Sequence, residues 1–132
     1  MLGFLNRIVI VFAALLIALV AWSDVLPRAE AIFLPVVSKM SFEEIEWGWN
    51  DPNKSAVMVE FTKKRPCEFK TLAWYVNDRW VDVEFNANRG TRPPGDNRTG
   101  PWVVSAKDLT NSEVYVKHTC HPFWDVWTKM HP

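Results

Sequence analysis

The chain has 132 residues, with fifteen Lys plus Arg against fifteen Asp plus Glu and zero formal charge. That balance leaves no basic footprint for nucleic acid, and the length admits one small domain. Eight Trp and nine Pro point to a core built from a few large rings between many turns.

The first element is Ile8 to Trp22, fifteen apolar residues without a polar break. As a helix they cover roughly 22 Å, short of a hydrocarbon core of roughly 30 Å. Leu2 to Leu5 and Val25-Leu26 extend the span at its two ends, so residues 1–26 are expected to form a single-pass transmembrane anchor. Ile8, Phe12, Leu16 and Leu19 would face lipid, and Trp22 suits the headgroup interface. Arg7 precedes the helix and the first acid, Asp24, follows it. This asymmetry keeps the amino end in the cytoplasm and exports the rest. The competing reading is a signal peptide cleaved near Ala31, since Ala29-Glu30-Ala31 has the A-x-A form. The long stretch between Ser23 and Ala31 favours the retained anchor, and both readings export the remaining hundred or so residues.

Pro27 and Pro35 are expected to exclude a continuous helix, which makes residues 27–35 a juxtamembrane linker and residues 36–132 the exported domain. From Val36 onward the pattern is strand-like. Ile45, Trp47 and Trp49 alternate with polar neighbours, and residues 50–53 (Asn-Asp-Pro-Asn) form a turn. In Ala56 to Lys63, Val57, Val59 and Phe61 alternate with Met58, Glu60 and Thr62. Glu68 to Val76 and Arg79 to Phe85 make a hairpin across Asn77-Asp78. Residues 86–101 read as a turn-rich connector, followed by strands at Trp102–Ser105, Glu113–Cys120 and Trp124–Met130. About seven short strands at this spacing predict a mainly β fold, a small immunoglobulin-like or fibronectin-like β-sandwich in layout.

An exported chain oxidises its thiols, so Cys67 and Cys120 are expected to pair. Lettered as in an immunoglobulin-like sandwich, Cys67 begins strand C and Cys120 ends strand F, its antiparallel neighbour. The bridge would close a loop of about 54 residues and contribute roughly 4 kcal/mol on the chain-entropy account. The B-to-F bridge of true immunoglobulin domains is absent, and Trp74 follows Cys67 too closely for their buried Trp.

His118, Cys120 and His121 gather potential zinc ligands in one stretch, but the spacing fits no established zinc signature and a disulfide would consume the thiolate. No metal or other cofactor is therefore expected. Asp82 and Glu84 share a strand face about 7 Å apart, which suits acid/base work; a solvated face paired with Arg79 or Lys70 accounts for them better. With no Ser-His-Asp set, phosphate-binding Gly loop or H-E-x-x-H present, an enzyme is not expected. Arg89, Arg92 and Arg98, interleaved with Gly90, Gly95 and Gly100, make the 86–101 connector either a solvated crossover or an anion-binding loop. Trp80 falls on the polar face of its strand, and Trp47, Trp49, Trp124 and Trp127 cannot all be buried in so small a core. Exposed Trp marks protein interfaces or sugar-stacking platforms.

Cys120-His121-Pro122-Phe123-Trp124, together with Arg92-Pro93-Pro94-Gly95 and Gly100-Pro101-Trp102, resembles small proteins of tailed phages and their proteobacterial hosts. These carry an N-terminal membrane segment and a compact β domain. The resemblance spans most of residues 34–130 and implies neither an activity nor functional residues. It places the anchor in a bacterial inner membrane with the domain in the periplasm. The expected function is an accessory or structural interaction module that meets the bilayer through residues 8–26 and docks on other membrane or envelope chains. Ala13, Ala14, Ala18 and Ala21 would let its helix approach others closely. A glycan-binding or peptidoglycan-binding module using exposed Trp is the alternative, and a zinc enzyme the remote third.

Overall fold

The protein is described here by a computed structural model covering residues 2–46, 51–85 and 90–132; Trp47, Trp49 and Arg89 lie outside the described residues. It is a mainly β protein: one long apolar N-terminal helix, then two antiparallel four-stranded sheets and one disulfide. The helix comprises α1 (Leu2–Val20), a π turn (Ala21–Val25) and α2 (Leu26–Phe33). From Gly3 to Val20 every residue is exposed. The stretch is long and apolar enough to cross a membrane, compatible with an anchor or a signal sequence.

Pro27 does not break the helix as the sequence suggested. The π turn carries one extra residue, and Leu26 N–H donates to Ala21 O, five residues back. Pro27 then falls in the first turn of α2, where a missing amide costs nothing and the ring finds room. The helix ends only at Phe33, so residues 27–33 are not an extended linker. Beyond it, Val36, Val37 and Met40 enter the core. Their backbone is pinned by Lys64 N–H to Val36 O at 2.8 Å, Ser38 N–H to Thr62 O at 2.8 Å, and Met40 N–H to Met130 O at 2.7 Å.

The strands are β1 (Ser41–Ile45), β2 (Ser55–Lys63), β3 (Glu68–Val76), β4 (Arg79–Val81), β5 (Val83–Phe85), β6 (Gly95–Val104), β7 (Ser112–His121) and β8 (Trp124–His131). They form sheets in the orders β1-β2-β6-β5 and β4-β3-β7-β8. Two strand boundaries differ from the expectation. The Arg79–Phe85 run divides at Asp82, so that β4 pairs with β3 in one sheet and β5 with β6 in the other. Asp82 makes the corner: its carboxylate accepts Val83 N–H at 3.0 Å and its carbonyl accepts Ser105 N–H at 2.9 Å. The second difference is that β6 begins at Gly95, seven residues before Trp102. Gly95, Asn97, Gly100 and Pro101 are poor strand formers, yet β2 offers nine residues of partner edge and pairs with residues 95–104. A bulge sets Gly100 and Pro101 opposite Met58, and Gly100 takes φ +143°, where a Cβ would meet Val57 O at 2.8 Å. Only glycine fits there.

The core lies between the sheets. Val57 and Val59 of β2 and Val104 of β6 face Trp74 of β3, Val114 of β7 and Val126 of β8, all fully buried. Trp74 satisfies its indole N–H on Ser112 Oγ at 3.0 Å and takes Phe42 edge-on at 5.3 Å. Cys67 and Cys120 are bonded with Cα atoms 4.4 Å apart. Their strands are antiparallel neighbours, with Glu68 opposite Thr119.

Candidate functional site

The helix is fastened to the sheets at two points. Glu30, eight residues beyond Trp22 on the helix, is nearly buried. One carboxylate oxygen accepts Arg65 Nη1 at 2.7 Å. The other accepts Trp124 Nε1 at 2.7 Å and lies 2.9 Å from His121 Nε2. Arg65 also donates to Leu34 O at 3.0 Å, capping the end of α2. Two turns earlier Trp22 meets Trp124 and Phe123 edge-on, at 5.3 and 5.9 Å between ring centroids. The β7–β8 turn, residues 121–124, is thus gripped along one face of the helix. The two attachments are about 12 Å apart by helix rise, which fixes a direction as well as a contact. Trp124 belongs to this joint and is not the free surface expected of it, whereas Phe123 remains 65% exposed beside Trp22.

The joint is hidden in the sequence because each of its residues fits a local pattern of its own. Glu30 sits in the middle of an A-x-A pattern, and Arg65 at the polar end of a strand. The available signal was an acid on the flank of an apolar helix, with a Trp and a His adjoining a cysteine far downstream.

The outer face of β4-β3-β7-β8 carries a diagonal aromatic stripe. Trp80 of β4 stands directly opposite Tyr75 of β3. Tyr75 meets Tyr115 of β7 edge-on at 6.1 Å. Tyr115 is opposite Lys129, and Lys117 is opposite Trp127 of β8. Lys129 and Lys117 lie over the Tyr115 and Trp127 rings at 5.7 Å, and their far ends pair with Glu113 and Asp125. Strand alternation puts these side chains outward because Trp74, Val114, Val116 and Val126 face the core. Trp80 is 61% and Trp127 44% exposed. Tyr115 and Trp127 also line a groove of about 920 Å³ between this face and α2, with Arg28, Lys39 and Lys64 on its walls. None of those three cations has a carboxylate within ion-pair distance among the described residues.

The remaining candidates do not converge on this face. Arg98 is on β6 and not on a loop: within the β1-β2-β6-β5 sheet it pairs with Glu60 at 3.2 Å and reaches Glu43 at 4.0 Å. Arg92 is half-buried and donates to Thr99 Oγ1 at 3.1 Å. Glu84 pairs with Lys54 at 2.8 Å and Lys70 with Glu68 at 2.9 Å, so the cross-strand partners expected for Asp82 and Glu84 are not the ones used. His118 faces the core while His121 faces Glu30, and among the described residues no group of three His, Cys, Asp or Glu is arranged to hold a metal. No protein-family model matches the chain, and neither the curated proteins nor the solved structures contain a match.

Proposed function

We propose that this chain is a membrane-anchored interaction module, with its amino terminus cytoplasmic and its β domain periplasmic, that docks on a membrane or envelope protein through the outer face of β4-β3-β7-β8. The observation that carries the reading is the outward-facing stripe of Trp80, Tyr75, Tyr115 and Trp127, its two Trp exposed and its two Tyr half-buried. Tyr and Trp are enriched in protein interfaces, and an aromatic face this extended is unusual on a free surface. The Glu30 and Trp22 contacts support it, because they hold the stripe at one height and angle above a bilayer and so reduce the ordering cost of docking. Tethering adds effective concentration. The strand orders support an immunoglobulin-like layout: lettered in chain order, they are A-B-E-D and C′-C-F-G. Periplasmic placement rests on the charge asymmetry about the helix and on the resemblance to phage and proteobacterial membrane proteins.

The test is to purify the full-length chain from its own membranes in mild detergent and identify co-purifying chains by mass spectrometry. One membrane complex should be recovered stoichiometrically, and lost from Trp80→Ala/Trp127→Ala with the fold intact by circular dichroism. Recovery alone at monomer size rejects the docking reading. The same stripe also favours a second reading: outward aromatic rings with Asp78 and Glu113 beside them suit sugar rings and hydroxyls. Sedimentation with purified peptidoglycan, abolished by Trp80→Ala, would decide for that one.

A further inference from the structure

At the end of the core near the disulfide, the two sheets leave a cleft of about 60 Å³. Phe61, Phe69, Leu72, Trp102 and Val116 form apolar walls, Arg92 and Thr99, hydrogen-bonded to each other, line another side, and Lys63 and His118 reach into it from β2 and β7. Lys63 continues the inward row of Val57, Val59 and Phe61 and is 2% exposed. Its ammonium donates to Cys67 O at 2.5 Å and Arg92 O at 2.7 Å. All fifteen carboxylates of Asp and Glu are among the described residues, and none pairs with it. A buried ammonium held only by neutral carbonyls is incompletely compensated, and one of its three N–H donors is unassigned. His118 is 3% exposed and its Nδ1 has no hydrogen-bond partner. Two buried nitrogen groups lacking an anion, at the end of an apolar slot, describe the complement of a small amphiphile.

We propose that this cleft is a binding site for a monocarboxylate with a short or medium apolar chain, its carboxylate on Lys63 Nζ and His118 Nδ1 and its chain along Phe61, Phe69 and Trp102. The volume holds a group of a few heavy atoms, so the head and first carbons are enclosed and the rest of the chain leaves through the open mouth. A multiply charged anion such as phosphate has no apolar chain to bury against Phe61, Phe69 and Trp102, so it forgoes that part of the binding energy. The site is separate from the outer aromatic face, so the inference does not depend on the docking reading. His118 is close enough to Lys63 for the ammonium to help hold the imidazole pKa down, after burial, to about 4. At neutral pH the imidazole is therefore neutral, and its Nδ1–H tautomer serves as a donor.

The experiment uses the full-length chain, labelled with 15N-histidine, in phosphatidylcholine nanodiscs, titrated in turn with octanoate, octanol and inorganic phosphate. Octanoate is expected to shift the His118 ring resonances saturably, and phosphate to leave them unmoved. Octanol should act about tenfold or more weakly, because it lacks the charge-assisted bond. Lys63→Met, which replaces the ammonium with an apolar chain of similar length, should abolish the octanoate response. The proposal is overturned if octanoate moves nothing up to roughly 10 mM, a limit near 3 kcal/mol of affinity. It is equally overturned if octanol or phosphate matches octanoate, or if Lys63→Met responds as the unaltered chain does. Should Lys63→Met not fold, the comparison of octanoate with octanol on the unaltered chain decides alone.

Discussion

His118 shows how one inward-facing polar residue gives a small β domain a pH dependence. Burial first, and the Lys63 charge second, lower its pKa from 6.5 to about 4. Between those values the unfolded chain binds a proton that the folded chain refuses. Stability is therefore fully present above about pH 6.5 and falls as pH drops towards 4. The full window is worth roughly 3 kcal/mol by linkage. Denaturant unfolding at pH 7, 6 and 5 should show this decline, and His118→Phe should flatten it. Carboxylates lose their ion pairs mainly below this upper half of the window, so a decline unchanged in His118→Phe would assign it to another group. The alternation of Val114, Val116 and His118 was legible along β7, but a histidine on an apolar row does not announce its environment. What makes it unusual is burial between the sheets, to which the Lys63 charge, fifty-five residues earlier in the chain, adds.

Among the elements, the helix and the β7–β8 hairpin are coupled most closely through a single side chain. Glu30 takes donors from Arg65, Trp124 and His121. Truncating it leaves the Trp124 indole N–H without its acceptor and the Arg65 guanidinium without its carboxylate, holding only Leu34 O. Glu30→Ala should cost about 1–3 kcal/mol of head stability, the lower figure if water reaches the partly exposed Arg65. Glu30→Gln, which keeps one acceptor oxygen, should cost less. Denaturation monitored by Trp fluorescence gives the energy, and limited proteolysis near residues 33–36 reports the released joint. An Ala variant with unchanged stability and unchanged cleavage would mean that the Trp22 contacts alone hold the head. The helix itself was legible from its hydropathy. Its continuation through Pro27 was not, because the π turn that accommodates the ring depends on one backbone bond, Leu26 to Ala21.

For the whole molecule, the disulfide joins residues 53 apart in sequence and ties the start of β3 to the end of β7. Cys67→Ala/Cys120→Ala should lose about 4 kcal/mol on the chain-entropy account, a large share of the 5–15 kcal/mol typical of a domain. Urea unfolding of the double variant against the oxidised chain measures it. A loss below about 1 kcal/mol would mean that the paired strands already constrain the unfolded chain. The bridge also flanks the cleft, since Cys67 O accepts from Lys63. The same variant should therefore loosen the Lys63 site.

The sequence by itself determined the apolar helix, the mainly β domain, the Asn77-Asp78 hairpin and the Cys67–Cys120 pairing. Each is written in local terms: a run of apolar residues, period-two alternation, turn residues that tolerate positive φ, and two thiols with no third to compete. Only the tertiary structure decided that β6 begins at Gly95, that Arg98 is a paired strand residue, that Trp124 locks the helix and that Lys63 points inward without a counter-ion. Those outcomes depend on which distant edge or charge a segment meets. A poor strand former will pair beside a long partner edge, and a charged residue becomes unusual only when the fold surrounds it with apolar walls.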